Sequence, residues 1–380
     1  MNFDPTESQE LIRQTVREFS EREIAPNVMV YDEAGEFPYD VIKGLSELGV
    51  MGLLFPEELQ GAGAGYLDYA TAIEELARVD PSVSLTVAAH ISLCANHIFL
   101  VGTEEQRRRW VPALASGSKL GGWALTEPGC GSDASALQST ARREGDEWVL
   151  SGTKTFCTNG GVGDIVVTFA RTSPGEGARG ISAFVVEKGT EGFTPGKKEN
   201  KLGMRASDTS ELIFENCRVP DSHRLGPEGE GFIQAMRILD GGRIGIAALA
   251  LGIGQGAFEA SVRFAKQREA FGRPITQFQA IQWKIADMAT ELDAARLLTY
   301  RAASLKDAGA ESTSRESSMA KLFASEAAQR ICEQAVQLHG GYGFIKDYPV
   351  EKFYRDVKLT TIGEGTSEIQ RLVIARKLLD

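Results

Sequence analysis

Twice along this chain of 380 residues the spacing of apolar side chains changes, and those two changes constrain the fold more than any other feature. Near the start, Leu11, Ile12, Val16 and Phe19 recur on one helical face. After Gly117 that period gives way to short β-branched and aromatic runs bounded by turn formers: Glu147 to Leu150, Asp164 to Thr172, Gly180 to Glu187 and Ser210 to Phe214. From Gly231 the helical period returns, most clearly in Ile281, Ile285, Met288, Leu292, Ala295 and Thr299, whose alternating spacings trace a bundle seam. Helices, then strands, then helices imply an α+β chain of separate domains. The expected domains are an all-helical one over 1–118, a small β-domain over 119–230 and a helical bundle over 231–380.

Within the first domain, Asp4-Pro5 reads as a helix start and Pro26 as its end. A second helix is expected over Tyr39 to Leu48 and a third over Tyr66 to Arg78, while Thr103-Glu104-Glu105-Gln106 is a capping box opening the next. In the last domain the polar stretch Asp307 to Ser318 reads as a loop, and Ala320 to Leu338 as a helix. The longest uncharged stretch, Ser82 to Thr103, has the length of a membrane span, but Ser84, His90, Ser92, Asn96 and His97 interrupt it. A buried core helix is expected there, with no membrane span and with His90 and His97 as hydrogen-bonded core residues.

Charge and cysteine usage narrow the function. Forty-one Lys and Arg against 52 Asp and Glu leave a formal charge of -11 with no basic block, which argues against a nucleic-acid partner. Cys94, Cys130, Cys157, Cys217 and Cys332 form no C-x-x-C pair, so neither a zinc site nor a redox dithiol is expected. Met1-Asn2-Phe3-Asp4-Pro5 has no basic stretch leading into an apolar run, so neither a secretory signal nor a transit peptide is expected, and a cytoplasmic location follows by default.

Two glycine runs mimic a dinucleotide fingerprint, but neither Gly252-Ile253-Gly254-Gln255-Gly256 nor Gly61-Ala62-Gly63-Ala64-Gly65 has G-x-G-x-x-G spacing after a strand. The first reads as close helix–helix approach, the second as a surface turn before the helix at Tyr66.

Three other segments exceed what packing alone requires. In Trp123-Ala124-Leu125-Thr126-Glu127-Pro128-Gly129-Cys130-Gly131-Ser132-Asp133 a strand enters a glycine-rich turn, offering amides and the hydroxyls of Thr126 and Ser132 to a polar planar ligand, or simply making a tight connection. In Gly152-Thr153-Lys154-Thr155-Phe156-Cys157-Thr158-Asn159-Gly160, alternation places Phe156 and Thr158 on one face of a strand that ends in an Asn-Gly turn. A ring could stack there, or the segment could be a plain hairpin with Phe156 in a core. The third runs from Gln337-Leu338-His339-Gly340-Gly341-Tyr342-Gly343 through Tyr354-Arg355-Asp356 to Glu364-Gly365-Thr366-Ser367-Glu368-Ile369-Gln370-Arg371. Its Glu364, between two glycines before a helix, reads alone as a solvated acid favoured by the helix dipole.

In this order and on this layout, the three segments resemble the acyl-CoA dehydrogenase family across essentially the whole chain. Leu202-Gly203-Met204-Arg205-Ala206-Ser207-Asp208-Thr209 and Arg268-Glu269-Ala270-Phe271-Gly272-Arg273-Pro274-Ile275 strengthen the resemblance. It implies an N-terminal α-helical domain, a middle β-barrel or sandwich and a C-terminal four-helix bundle. It also implies FAD, its ring contacted by Leu125, Thr126, Phe156 and Thr158, with Thr366 and Glu368 reaching other parts. A neighbouring subunit of a homotetramer, built as a dimer of dimers, would add Arg268, Phe271, Gln279, Gln337 and Gly341, the arginine suiting a pyrophosphate. Ser132, Asp240, Arg243 and Gly365 match positions lining the acyl-CoA channel.

By the same resemblance Glu364 is the base that takes the α-proton of the thioester while the β-hydride passes to flavin N5, giving a trans-2-enoyl-CoA. The developing enolate oxygen would be polarised by the Glu364 amide and a ribityl hydroxyl. Burial should raise this carboxyl toward working pH. An electron-transferring flavoprotein is the implied acceptor. A branch of the family takes its base from the residue before the arginine matching Arg243; here that residue is Gly242, so Glu364 has no rival. Phe156 stands where many members carry Trp, and Ala270 where several carry a hydroxyl. Gly363 replaces the tyrosine of medium-chain members, which widens the expected pocket toward branched or cyclic groups within a short-chain, butyryl-type enzyme. No arginine lies between Arg78 and Arg107 to hold a glutaryl carboxylate. An oxygen-using oxidase and a DNA-binding relative are the competing classes, the second opposed by the acidity of the chain.

Overall fold

The computed structural model describes residues 5–379. Its first part is helical. The helix α1 (Glu7–Phe19) opens with a capping box, the Thr6 hydroxyl accepting the Gln9 amide while the Gln9 side chain accepts that of Thr6. The expected start was too early: Pro5 precedes the cap, and Asp4 lies outside the described residues. Nor does Pro26 end the helical run. It sits in the first positions of a 3-10 turn, Ala25–Asn27, where its missing N–H has no helical partner to lose, and the chain passes on into α2 (Val28–Ala34). Next come α3 (Tyr39–Glu47), α4 (Tyr66–Val79), α5 (Pro81–Ala88), α6 (Asn96–Val101) and α7 (Glu104–Ala115), the last opened by the Thr103/Gln106 capping box.

A π-helical segment, Ala89–Ala95, joins α5 to α6. Two helical stretches, Pro81–Val101 and Gly231–Gln267, are long and apolar enough to cross a membrane, and both are largely buried within the protein, as core helices are. His90 and His97 are fully bonded: His90 to Leu114 O and the Gly121 amide, His97 to Gln234 and the Trp123 indole. Burial pushes both imidazoles down to about 4, so they stay neutral.

The middle part is a mixed sheet of eight strands: β1 (Gly121–Ala124), β2 (Thr140–Glu144), β3 (Glu147–Thr158), β4 (Ile165–Arg171), β5 (Ile181–Glu187), β6 (Phe193–Lys198), β7 (Thr209–Pro220) and β8 (Arg224–Leu225). Their order is β6-β7-β3-β2-β4-β5-β8, with β1 parallel to β4. The strands β3 and β7 continue well past the runs read from sequence, because Gly152, Lys154 and Arg218 interrupt the apolar pattern without ending the ladder, which shifts register after Leu150 and after Lys154. Along β4, Val166 and Ala170 face a core enclosed by the sheet with Trp148, Phe184 and Phe214, whereas Ile165, Val167 and Phe169 join the helical core. Burial on both faces explains why β4 is a continuous apolar run.

The last part comprises α8 (Gly231–Gln267), a hairpin of β9 (Glu269–Ala270) and β10 (Arg273–Pro274), then α9 (Gln279–Asp307), α10 (Ser314–His339), α11 (Val350–Asp356) and α12 (Ser367–Leu379). On α9, Met288, Leu292, Ala295 and Thr299 are buried as the seam requires. The helix α10 begins inside the expected loop, since Ser317 bonds back to the Thr313 carbonyl and buries there. Gly252 and Gly256 let α8 approach α4: a Cβ would come within 2.2 Å of Glu74 O and 2.4 Å of Arg78 O. Lys352 of α11 fastens the parts together, bonding Asp80 at 2.8 Å and Asp356 at 2.6 Å, while Asp356 also accepts the Met204 amide.

Candidate active site

The turn before α12 places Glu364 and Gly365 at successive positive φ values, 54° and 95°. A left-handed glutamate costs on the order of 1 kcal/mol, so the turn needs support. Gln370 supplies some of it, donating to Glu364 O at 3.2 Å and Gly365 O at 2.9 Å, and Lys321 of α10 donates to Gly365 O at 2.7 Å. Held this way, the Glu364 carboxylate turns toward α8 and enters a notch at Gly242, where a Cβ would lie 2.0 Å from Oε2. The residue as a whole is partly exposed, but Oε2 is enclosed and has no hydrogen-bond partner among the described residues. Burial pushes the carboxyl up to about 7, with the positive charges of Arg243 and Lys321 opposing the shift.

Neighbouring glycines of α8 make matching notches. Gly241 faces the Tyr66 hydroxyl and Gly245 that of Tyr69, where a Cβ would meet oxygen at 2.6 and 2.3 Å. Tyr66 accepts from Asn96, but the Tyr69 hydroxyl is enclosed without a hydrogen-bond partner among the described residues. Leu93, Ala89, Ile238 and Leu239 form the apolar wall of this region. Arg243 binds Asp240 at 2.8 Å, and Asp240 also accepts from Ser314, while the Arg243 Nε is enclosed and has no partner among the described residues. Glu364, Gly365, Arg243 and Asp240 are thus brought together. Ser132 stands exposed on its glycine-rich turn.

A second group forms at the edge of the sheet. The Thr155 amide donates to Thr126 O at 2.9 Å, locking the Leu125-Thr126 corner against β3. Beneath it, enclosed Lys154 binds Glu127 at 2.7 Å, and Glu127 accepts the amides of Gln138 and Ser139, so one ion pair shapes the whole glycine-rich loop. The strand does not keep the simple alternation expected: β3 bulges between Lys154 and Cys157, Phe156 takes φ 55°, and its ring is 66% exposed rather than in a core. The Asn-Gly turn is present, and the Asn159 amide is buried between Thr86 O and Gly121 O.

The remaining residues lie on the bundle. Arg268, Phe271 and Gly341 line a cleft of about 700 Å³ with Phe278 and Tyr342; Gln279 and Gln337 sit exposed beside it. There Phe271 is almost fully exposed, and Arg268 stacks on Tyr342 rather than pairing with a carboxylate among the described residues. Thr366 and Glu368 line a separate groove of about 430 Å³ with Lys358 and Arg330. Sequence reasoning missed Lys321, Lys154 and Glu127. Each meets a partner from another element, which its own neighbours in sequence do not signal.

Models of the acyl-CoA dehydrogenase N-terminal, middle and C-terminal domains match residues 6–118, 122–217 and 229–379. The chain is 49% identical over 378 residues to the short-chain specific acyl-CoA dehydrogenase of Clostridium acetobutylicum, covering 100% of both. Among solved structures, butyryl-CoA dehydrogenase from Megasphaera elsdenii superposes with a TM-score of 0.98 at 44% identity over 100% of both chains. A structure described as the electron transferring flavoprotein of Acidaminococcus fermentans gives the same TM-score of 0.98 at 48% identity, again over 100% of both chains. Likeness of this extent, along the whole chain, shows that the chain belongs to the acyl-CoA dehydrogenase family of flavoprotein oxidoreductases.

Proposed function

We propose that the protein uses FAD to dehydrogenate a short-chain, branched or cyclic acyl-CoA to its trans-2-enoyl-CoA, with Glu364 as the base. The observation that carries this reading is the enclosed Glu364 Oε2, without a hydrogen-bond partner among the described residues, on a carboxyl pushed up to about 7 and seated in the Gly242 notch. A carboxylate so placed can take a proton from carbon without competing water. Its own amide, committed to no acceptor among the described residues, would polarise the thioester oxygen. Ser132, Asp240, Arg243 and Gly365 would position the substrate.

The residues fit FAD. Phe156 is exposed on the strand that the Thr155 amide locks to Thr126, and Arg268 is available for a pyrophosphate. Leu125, Thr126, Phe156 and Thr158 would hold the ring, and Thr366 and Glu368 other parts. Arg268, Phe271, Gln279, Gln337 and Gly341 would serve a neighbouring subunit in a homotetramer. When bound, the flavin accepts the β-hydride, and an electron-transferring flavoprotein is the proposed acceptor of its electrons.

Gly363 supports the breadth of the acyl group by contributing no side chain, although a Cβ there would make only ordinary contacts, the nearest 3.6 Å from Leu359 O. Anaerobic bleaching of the flavin by butyryl-, branched, alicyclic and octanoyl-CoA tests both claims. Butyryl-CoA and the branched or alicyclic esters should bleach it faster than octanoyl-CoA; a strict preference for straight chains would remove the wide pocket. Gly242→Ala should lower kcat about 10²-fold with FAD retained, because the added methyl displaces the carboxylate. Unchanged turnover in that variant would show that the base works from another position.

A further inference from the structure

We propose that Lys321 is a positioning residue for the base: its ammonium pins the turn carrying Glu364 and supplies the charge that keeps this carboxylate ready to accept a proton. The inference rests on the assignment of Glu364 as the base. Lys321 is fully buried on α10, and its one hydrogen bond among the described residues runs to Gly365 O. A buried ammonium with only a carbonyl for a partner is expensive, and a methionine would fill the same space without that cost. The bond falls on Gly365, directly after the base, and so braces the turn in which the left-handed Glu364 is the strained residue.

The charged surroundings show what the ammonium does. Facing it are Glu364 from the turn, Arg243 from α8, Glu326 from its own helix and Glu368 from α12. Glu364 in turn faces Arg243, Lys321 and, from α4, the Tyr69 hydroxyl. Arg243, the larger of the two charges acting on Glu364, is paired with Asp240, whereas Lys321 contacts no carboxylate among the described residues. Burial lowers the ammonium to about 8 and raises the carboxyl to about 7, while each charge favours the charged form of the other. Without the ammonium, Glu364 would keep its proton to higher pH, and a protonated acid abstracts nothing.

The test is the pH profile of kcat for FAD-loaded wild type, Lys321→Met and Lys321→Gln with butyryl-CoA. In Lys321→Met the acid limb should move up by on the order of one pH unit, with a fall in plateau kcat. Lys321→Gln retains a donor for Gly365 O but no charge, so its limb should move equally while its plateau falls less. It also carries the test alone if the Met variant does not fold. An unmoved limb, whatever the loss of kcat, would reduce Lys321 to structural support. If Glu364→Gln is inactive while that limb stays put, only the role of Lys321 is lost; an active Glu364→Gln removes both assignments.

Discussion

Glu364→Gln should remain folded and yellow with bound FAD, yet lose roughly 10²–10⁴-fold in kcat, the range a positioned general base contributes. Glutamine keeps the size and the backbone of the turn, including the bonds from Gln370 and Lys321 to the carbonyls of residues 364 and 365. Only proton acceptance is removed, so KM should change little. The same variant has a second readout. The carboxyl sits at about 7 in the folded protein against an ordinary 4.5, so the folded state binds this proton more tightly across that interval. Its contribution to stability therefore falls as pH rises from the lower value to the upper. Glutamine imitates the protonated form, so its Tm should exceed that of wild type above the folded value and match it in acid. A Tm no higher than wild type at alkaline pH would mean that the carboxylate is solvated, and the enclosed-base reading would fail.

Much of this arrangement is legible in the sequence because it is local or periodic. The seam through Met288, Leu292, Ala295 and Thr299 depends only on helical period, and the capping box at Thr103 only on four adjacent residues. What escaped is set by partners distant in the chain. Gly242 looked like the mere absence of a competing base; in the structure it is the space that admits Glu364, more than a hundred residues away. Simple alternation puts Phe156 on one face with Thr158, but β3 bulges where it pairs with β7 and the ring is exposed. Lys321 and Lys154 looked like ordinary members of a helix and a strand, because the carbonyl and carboxylate that receive them belong to other elements. Polar α10 residues such as Ser317 read as loop for a related reason, since their hydroxyls satisfy themselves on the preceding turn.

Stability should be most sensitive at a junction away from the chemistry. Lys352 is enclosed between Asp80 and Asp356, at 2.8 and 2.6 Å. Asp80 also caps α5 through the Ser82 amide, and Asp356 holds the left-handed Met204. The three residues therefore join the end of α4, the start of α5, the 203–204 turn and α11. Lys352→Met removes the cation and leaves two carboxylates buried without compensation, a loss of about 3–5 kcal/mol. The thermal midpoint should fall on the order of 5–10 °C, followed by calorimetry on the FAD-loaded protein. Adding Asp80→Asn and Asp356→Asn should recover much of that loss, since it is the uncompensated charge, rather than missing contact area, that destabilises. Burial already pushes the Asp356 carboxyl upward, against the pull of Lys352. If Lys352→Met melts within about one degree of wild type, both aspartates must be taking up protons when the ammonium is lost, and the melting point of that variant should then fall steeply as pH rises.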